Sequence, residues 1–152
     1  MLPSKLIETL HHVANLLSKV HEPWWILGSG AVALKGYDAG PVGDVDVLVS
    51  ERDADHLIDQ FGLKNRNDGG TPLYRSSYFL TPGLGPMRVE IMAGYEILAD
   101  QIWHPIWPTS RQRVQVSGVD LFVPSDANLI EIFRMLGREK DQQRIHAMNN
   151  SK

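Results

Sequence analysis

Two acidic residues in a valine-rich segment are the first candidates for chemistry. Asp44 and Asp46 lie in the segment DVDVLVS, residues 44 to 50, which alternates as a strand does. Because residues two apart in a strand point to the same side, both carboxylates project from one face, and Val45 and Val47 project from the other. Neighbouring like charges repel each other, and a bound cation relieves this repulsion. Oxygen ligands without thiolates indicate Mg²⁺ or Mn²⁺.

A third acidic side chain lies inside a later apolar strand. The segment MRVEIMA, residues 87 to 93, places Glu90 on the side opposite its apolar neighbours. Three carboxylates on neighbouring strands can hold one or two divalent ions, which would neutralise a triphosphate, align it and activate an attacking hydroxyl. The alternative is that Glu90 pairs with Arg88 on the same strand face and has no further role. The predicted metal ligands and catalytic residues are Asp44, Asp46 and Glu90.

A glycine turn follows the aromatic and apolar strand predicted at residues 24 to 27. The segment ILGSGAVA matches the dinucleotide-binding pattern Gly-x-Gly-x-x-Ala, and Glu51 lies near the position of the acid that such sites require. The chain between this strand and the next is, however, too broken by glycine and proline to form the crossover helix of that motif. In a second interpretation, the backbone N–H groups of Gly28 and Ser29 and the Ser29 hydroxyl bind phosphate groups. A tight turn without a ligand is the third.

Composition narrows the functional classes. The chain has 152 residues, 43% of them hydrophobic and 22% charged, as in ordinary globular proteins. A net charge of −3 disfavours a dedicated nucleic-acid binder. The absence of cysteine excludes disulfides, thiolate zinc sites and a cysteine nucleophile, and the histidines lack zinc spacing. No stretch approaches the ~18 apolar residues of a membrane span, and we expect no membrane partner and a cytoplasmic location.

Periodicity and turn residues predict an alternation of helices and strands. Apolar positions from Leu6 to Val20 predict a first helix with Ser4 as its N-cap. The segment from Tyr95 to Trp107 is ambiguous, with a short helix ending near Pro105 as one interpretation. Further helices are predicted at residues 52 to 61, 126 to 136 after a Ser125 cap, and 141 to 149, and strands at 24 to 27, 44 to 50, 73 to 80, 87 to 93, 113 to 116 and 119 to 123.

The glycine turn and the acidic strand together resemble a known family. Gly28-Ser29, fourteen residues and then Asp-Val-Asp-Val are similar to the signature of the DNA polymerase beta-like nucleotidyltransferase superfamily. The tail SDANLIEIFRMLGREKDQQRIHAM resembles the C-terminal helices of small bacterial members, the minimal and AbiEii-type nucleotidyltransferases. In these, a Gly-Arg-x-Lys-Asp segment links two helices, as Gly137 to Asp141 does in this chain. The resemblance covers roughly residues 24 to 50, 87 to 92 and 124 to 148.

The chain departs from the family pattern at three points. The spacer between the Gly-Ser turn and the first Asp is longer than usual. Pro41-Val42-Gly43 stands where many relatives have Ser, Thr or Arg. The third acid is Glu90, where Asp is more usual, so its side chain is one methylene longer.

The resemblance implies both a fold and a set of roles. It implies one α/β (α+β) domain over residues 1 to 152, a small mixed sheet flanked by helices, with a helical C-terminal segment at 125 to 150. It implies that Gly28 and Ser29 contact a triphosphate, and that Lys140, with Arg138, reaches the nucleotide or the acceptor. The metal ligands that it implies are Asp44, Asp46 and Glu90.

Two functions follow as expectations. The first is metal-dependent transfer of a nucleoside monophosphate from an NTP to a hydroxyl of a small molecule, a protein or RNA, RNA being disfavoured by the net charge. Because the chain is small, we expect a partner protein or a second copy to complete the acceptor site. The second is a catalytically silent nucleotide-binding or interaction module, such as one half of a toxin–antitoxin pair.

Overall fold

Helices and strands alternate along the chain. The computed structural model describes residues 2–38 and 40–150. Within these residues the five helices are α1 (Ser4–Leu16), α2 (Gly28–Leu34), α3 (Glu51–Phe61), α4 (Asp126–Leu136) and α5 (Glu139–Asn150). The nine strands are β1 (Trp25–Leu27), β2 (Asp44–Leu48), β3 (Tyr74–Arg75), β4 (Tyr78–Leu80), β5 (Arg88–Ala93), β6 (Glu96–Ala99), β7 (Ile102–Pro105), β8 (Gln112–Val116) and β9 (Val119–Val123).

The largest sheet has the strand order β1-β2-β5-β4. β2 and β5 are parallel, whereas β1 and β4 flank them in antiparallel orientation. The register of the parallel pair sets Asp44 beside Arg88 and Asp46 beside Glu90. Two smaller antiparallel sheets have the orders β3-β6-β7 and β8-β9. The predicted fold class, a small mixed sheet flanked by helices, is confirmed.

Strand alternation gives the main sheet two different faces. On one face the fully buried Val45, Val47 and Ile91 pack in the main core, to which α1 and α3 contribute Leu10 and Leu57. On the other face a second apolar cluster joins β1, β2 and β5 to α4 through Trp25, Leu27, Leu48, Met92, Ile132 and Leu136. The even-numbered residues of β2 and β5 therefore lie on the face that α4 covers, and this face carries the acidic side chains.

The ambiguous segment from Tyr95 to Trp107 is a β-hairpin, so its interpretation as a short helix is wrong. β6 and β7 pair antiparallel, with Ile97 opposite His104 and Ala99 opposite Ile102. Asp100 and Gln101 form the turn with left-handed φ values of 52° and 64°. Glycine is the usual residue at such φ values, but this turn contains no glycine. The sequence therefore has no glycine that would mark the turn.

Two other predicted elements have different limits in the structure. α1 begins at Ser4 itself, after Pro3, and no side chain caps it, so the prediction of a Ser4 N-cap is wrong. The strand predicted at 73 to 80 divides at Ser76-Ser77 into β3 and β4. The two parts belong to different sheets, because β3 pairs with β6 and β4 pairs with β5.

The two C-terminal helices meet at a corner at Gly137, where the sequence predicts an interruption. The Ser125 hydroxyl accepts a hydrogen bond from the backbone N–H of Asn128 and caps α4. Gly137 ends α4 with φ 64°, a left-handed conformation that costs a glycine little. α5 starts two residues after this corner, which places its first turns against the acidic face of the main sheet.

Among the helices of the described residues, none combines the length and the apolar composition that crossing a bilayer requires.

Candidate functional site

Three carboxylates meet where β2 and β5 run side by side. Asp44 and Asp46 come from β2, and Glu90 comes from β5 directly beside Asp46. One carboxylate oxygen from each residue lies within 4.8 Å of the other two. The valines and isoleucines between them are buried in the opposite face, so the strand alternation accounts for the convergence.

The cluster carries more negative charge than its direct partners balance. Burial has the largest effect on the pKa of Asp46, and together with the charges of Asp44 and Glu90 and a hydrogen bond with Glu90 it raises that pKa to about 7. Burial also raises the pKa of Asp44. Within residues 2–38 and 40–150, Asp44 and Asp46 form no ion pair, whereas Glu90 pairs with Arg88 at 2.7 Å between Oε2 and Nε. A divalent cation would supply the missing charge.

Gly28 makes the room that the Asp46 carboxylate occupies. A Cβ atom at position 28 would lie 2.8 Å from Oδ2 of Asp46, closer than real Cβ contacts come. Gly28 also has a φ of 64°, so any other residue there would be strained as well. The first glycine of the Gly-Ser turn is therefore required by the position of a carboxylate, and the interpretation as an ordinary tight turn does not account for this contact.

Ser29 lies in the first turn of α2 and is 6% exposed. Its hydroxyl forms no hydrogen bond with any residue that the structure describes. Gly28 lines the cleft beside the carboxylates, whereas Ser29 is not part of the cleft wall.

A cleft of about 270 Å³ opens over Asp46 and Glu90. One wall comes from the loop before β3 and from β3 itself, and the opposite wall comes from α4 and the start of α5. Apolar and aromatic side chains line much of the rest of the cleft; they are Tyr74, Phe79, Met92, Tyr95, Ile132 and Leu136. The cleft thus joins an acidic end to an apolar end.

Two arginines of the cleft wall share one buried anchor. Asp141 is fully buried, and its Oδ2 accepts hydrogen bonds from the backbone N–H and the Nε of Arg138, the latter at 2.7 Å. Its Oδ1 accepts a longer bond of 3.4 Å from Nη1 of Arg144. Both arginines line the cleft, and the charge of Arg144 lowers the pKa of Asp44 and of Asp46. Asp141 therefore fixes both guanidinium groups, that of Arg144 near the carboxylates and that of Arg138 at 6.0 Å from the centroid of the Tyr74 ring.

Sequence reasoning named Arg138 and Lys140 but missed Arg144 and the role of Asp141. Lys140 is exposed on α5 and does not line the cleft, although its charge lowers the pKa of Asp44. A signal for Arg144 existed, because residues three apart on a helix share a face and Asp141 precedes it by three. That signal requires knowing that Asp141 faces inward, which the sequence alone does not show.

The dinucleotide interpretation of the glycine turn is wrong. A dinucleotide-binding unit needs two parallel strands joined by a full helix. Here β1 and β2 are antiparallel, and the helix between them, α2, has only seven residues. Glu51 starts α3 and is exposed.

Comparison with known proteins identifies the fold. No family model matches the sequence, and no curated protein matches it either. Among solved structures, a candidate nucleotidyltransferase from Thermotoga maritima superimposes with a TM-score of 0.75 at 20% identity, covering 100% of this chain and 97% of that one. The antibiotic-resistance factor ANT(2'')-Ia superimposes with a TM-score of 0.59 at 13% identity, covering 99% of this chain and 85% of that one.

A third structure extends the same likeness. A nucleotidyltransferase-like protein from Paracoccidioides brasiliensis has a TM-score of 0.56 at 18% identity, covering 97% of this chain and 77% of that one. At these identities the comparison establishes the fold alone, and the predicted nucleotidyltransferase-like fold is confirmed. The minimal and AbiEii-type subfamily stays a prediction.

The first prediction concerns the pH dependence of stability without metal. The raised pKa of Asp46 means that its contribution to stability is fully present below its unfolded pKa and is lost as pH rises through about 7. In EDTA, Asp46→Asn should therefore be more stable than wild type at about pH 8, by about 1 to 3 kcal/mol. The difference should shrink towards about pH 4. Urea unfolding across this pH range measures it.

The control for this prediction is Asp59→Asn, which changes an exposed carboxylate near the C-terminal end of α3. The free energy of unfolding of this variant should equal that of wild type at every pH. If Asp46→Asn is instead less stable than wild type throughout, the Asp46 carboxylate is a structural hydrogen-bonding group and not one strained by its neighbours.

Proposed function

We propose that the protein is a metal-dependent nucleotidyltransferase, which moves a nucleoside monophosphate from an NTP to an acceptor hydroxyl. The observation that carries this proposal is the cluster of Asp44, Asp46 and Glu90, whose carboxylate oxygens lie within 4.8 Å of one another in a chain with the nucleotidyltransferase-like fold. The cleft over the cluster and the two arginines on its other wall support it.

The donor set suits a hard divalent cation. Carboxylate oxygens are the ligands that Mg²⁺ and Mn²⁺ prefer, and the chain has no cysteine to favour a softer metal. Asp44, Asp46 and Glu90 would hold the ion, and Gly28 leaves the space that the Asp46 carboxylate needs. When bound, the ion supplies positive charge that neutralises the triphosphate and its pyrophosphate leaving group.

The remaining residues bind the triphosphate and move the proton. We assign contacts with the triphosphate to Gly28 and Ser29 and to Arg138 and Lys140. Glu90 is our candidate base. An acceptor oxygen forms a bond to the α-phosphorus while the bond from that phosphorus to the β-phosphate oxygen breaks. Glu90 takes the hydroxyl proton, and pyrophosphate leaves with the electron pair of the broken bond.

The guanidinium of Arg144 extends the sequence-based assignment. It is largely buried, with 16% of the side chain exposed, and it lies near enough to Asp44 and Asp46 to lower their pKa values. A cation fixed at this place would attract a triphosphate towards the carboxylates. We therefore add Arg144 to the proposed triphosphate contacts.

A hydroxyl of a small molecule is the acceptor that the comparisons favour. ANT(2'')-Ia, which shares this fold, is an antibiotic-resistance factor, and one of its structures contains adenylyl-2''-tobramycin. That structure superimposes with a TM-score of 0.57 at 13% identity. The net charge of −3 disfavours an RNA acceptor, and a protein hydroxyl remains the other candidate.

A catalytically silent nucleotide-binding module is the alternative, and one contact favours it. Arg88 pairs with Glu90 at 2.7 Å and thereby occupies one of the three proposed ligands. If that pair persists with nucleotide present, the site binds without transferring. The nucleotide-bound protein would then bind a partner protein or a second copy of the chain. The exposed side chains of Ile102 and Trp107 offer apolar surface for such a contact.

The second prediction is that NTP binding depends on the divalent ion. Three carboxylates repel a free triphosphate, so ATP, GTP, CTP and UTP should bind measurably with Mg²⁺ and at least tenfold more weakly in EDTA, equivalent to about 1.4 kcal/mol. Calorimetric titration measures both affinities. Asp46→Asn should lose most of the Mg²⁺ effect. Equal binding in EDTA, or tight binding of NAD in place of NTP, would contradict the proposal.

The third prediction concerns Lys140, the exposed cation on α5. Lys140→Ala should weaken the binding of Mg²⁺–NTP about threefold to tenfold, because it removes a charge that acts on the carboxylate end of the cleft. The free energy of unfolding should change by at most about 0.5 kcal/mol, as for other exposed side chains. Calorimetry and urea unfolding on the same variant measure both effects.

The matched control for Lys140 is Arg134→Ala, which removes an exposed cation from α4. Arg134 forms no ion pair with any described residue, and it is not among the charges with the largest effects on the pKa of Asp44 or Asp46. Nucleotide affinity in this variant should equal that of wild type. If the two variants behave alike, Lys140 is an ordinary surface charge beside a helix.

A further inference from the structure

Tyr95 places a buried phenol against the cleft. It lies between Gly94 and the first residue of β6, is 7% exposed, and lines the cleft. Its ring meets that of Tyr74 edge-to-face at 6.2 Å between centroids. Its backbone carbonyl accepts a hydrogen bond of 2.9 Å from the N–H of Ile106, which fixes its position.

The hydroxyl of this buried tyrosine has no protein partner. It forms no hydrogen bond with any residue from 2 to 38 or from 40 to 150. The oxygen is not shut off from water, because among the described residues the unpaired buried side-chain atom is Nε2 of His11. The Tyr78 hydroxyl donates to Asp55 at 2.7 Å, and the Tyr37 hydroxyl donates to Asp126. Tyr95 therefore offers an accessible hydroxyl without a protein partner to a ligand in the cleft.

Tyr95 also borders a second surface depression, but Asp46, Arg138 and Tyr74, whose charges act on its hydroxyl, all line the cleft. Burial raises the pKa of Tyr95, and the charge of Asp46 raises it further, while Arg138 opposes the rise. Both charged groups line the cleft. Glu51 and Arg52 of the second depression are not among the groups with the largest effects on the pKa of this hydroxyl. The phenol therefore stays protonated and is a hydrogen-bond donor.

The polarity of the cleft shows which part of a nucleotide lies at Tyr95. Along β5 the side chains on the cleft side change from Glu90 to Met92, and Tyr95 follows just after the strand ends. The triphosphate belongs at the charged end and a planar, apolar base at the end lined by Tyr74 and Leu136. The sugar joins the two, and Tyr95 is near enough to both ends to feel Asp46 and to contact Tyr74.

We propose that the Tyr95 hydroxyl donates a hydrogen bond to a hydroxyl oxygen of the ribose and so selects ribonucleotides over deoxyribonucleotides. The proposal rests on the proposed function, because it takes the cleft to be the nucleotide site. It adds a specificity-determining residue that neither the sequence motifs nor the carboxylate cluster indicate.

The test compares ribose and deoxyribose ligands on wild type and on Tyr95→Phe, which removes a single oxygen atom. The probes are the NTP that wild type binds most tightly, its 2'-deoxy analogue and its 3'-deoxy analogue, each with Mg²⁺ in calorimetry. Wild type should bind the NTP about threefold to tenfold more tightly than one of the two analogues. In Tyr95→Phe the NTP should weaken by the same factor and that analogue should not, so discrimination disappears.

Tyr78→Phe is the matched control, because it deletes a tyrosine hydroxyl outside the cleft. It should leave the ribose preference unchanged. Thermal melting of Tyr95→Phe should equal or exceed that of wild type, because the lost hydroxyl has no partner in the protein.

Two results would overturn the proposal about Tyr95 while leaving the proposed function in place. One is Mg²⁺–NTP binding with the same ribose preference in wild type and Tyr95→Phe. The other is equal weakening of the NTP and both analogues in Tyr95→Phe, which would place the contact outside the sugar hydroxyls. A wild-type protein that binds no Mg²⁺–NTP would instead overturn the proposed function, and the assignment of Tyr95 with it.

Discussion

Repulsion among carboxylates on two parallel strands is the constraint on which the site depends. The register of β2 and β5 sets Asp46 directly beside Glu90, and Asp44 lies on the same face two residues away. The protein maintains this arrangement because the opposite face of both strands is deeply buried, so the strands cannot turn over without exposing Val47 and Ile91. Packing of the core thus forces like charges together, which is typical of sites that bind a cation.

The surroundings of the cluster adapt to that constraint. Gly28 has no side chain, and this leaves space for the Asp46 carboxylate. After the α4–α5 corner at Gly137, the buried Asp141 fixes Arg138 and Arg144 on the cleft wall, and the charge of Arg144 acts on Asp44 and Asp46. The cations stand on a separate element from the carboxylates, which leaves a cleft between the two sets of charges. A ligand that carries both an anionic chain and a bound cation fits such a cleft.

Strand alternation made the acidic cluster predictable, because Asp44, Asp46 and Glu90 each interrupt an apolar pattern of period two. The same local reasoning identified the Ser125 cap and the Gly137 corner. It could not locate the β6–β7 hairpin, whose turn uses left-handed Asp100 and Gln101.

Contacts between distant parts of the chain were also beyond local reasoning. The division of residues 73 to 80 depends on pairing with two different strands. The roles proposed for Arg144 and Tyr95 depend on the tertiary contacts that bring both residues to the cleft.

A crystal grown or soaked with Mn²⁺ gives the most direct test of the central claim, because manganese is located by its anomalous scattering. We predict one or two peaks bonded to carboxylate oxygens of Asp44, Asp46 and Glu90, with the Arg88–Glu90 pair opened to release the glutamate. Absence of manganese from this position at a saturating concentration, with Arg88 still paired to Glu90, would contradict the claim that these carboxylates form a metal site.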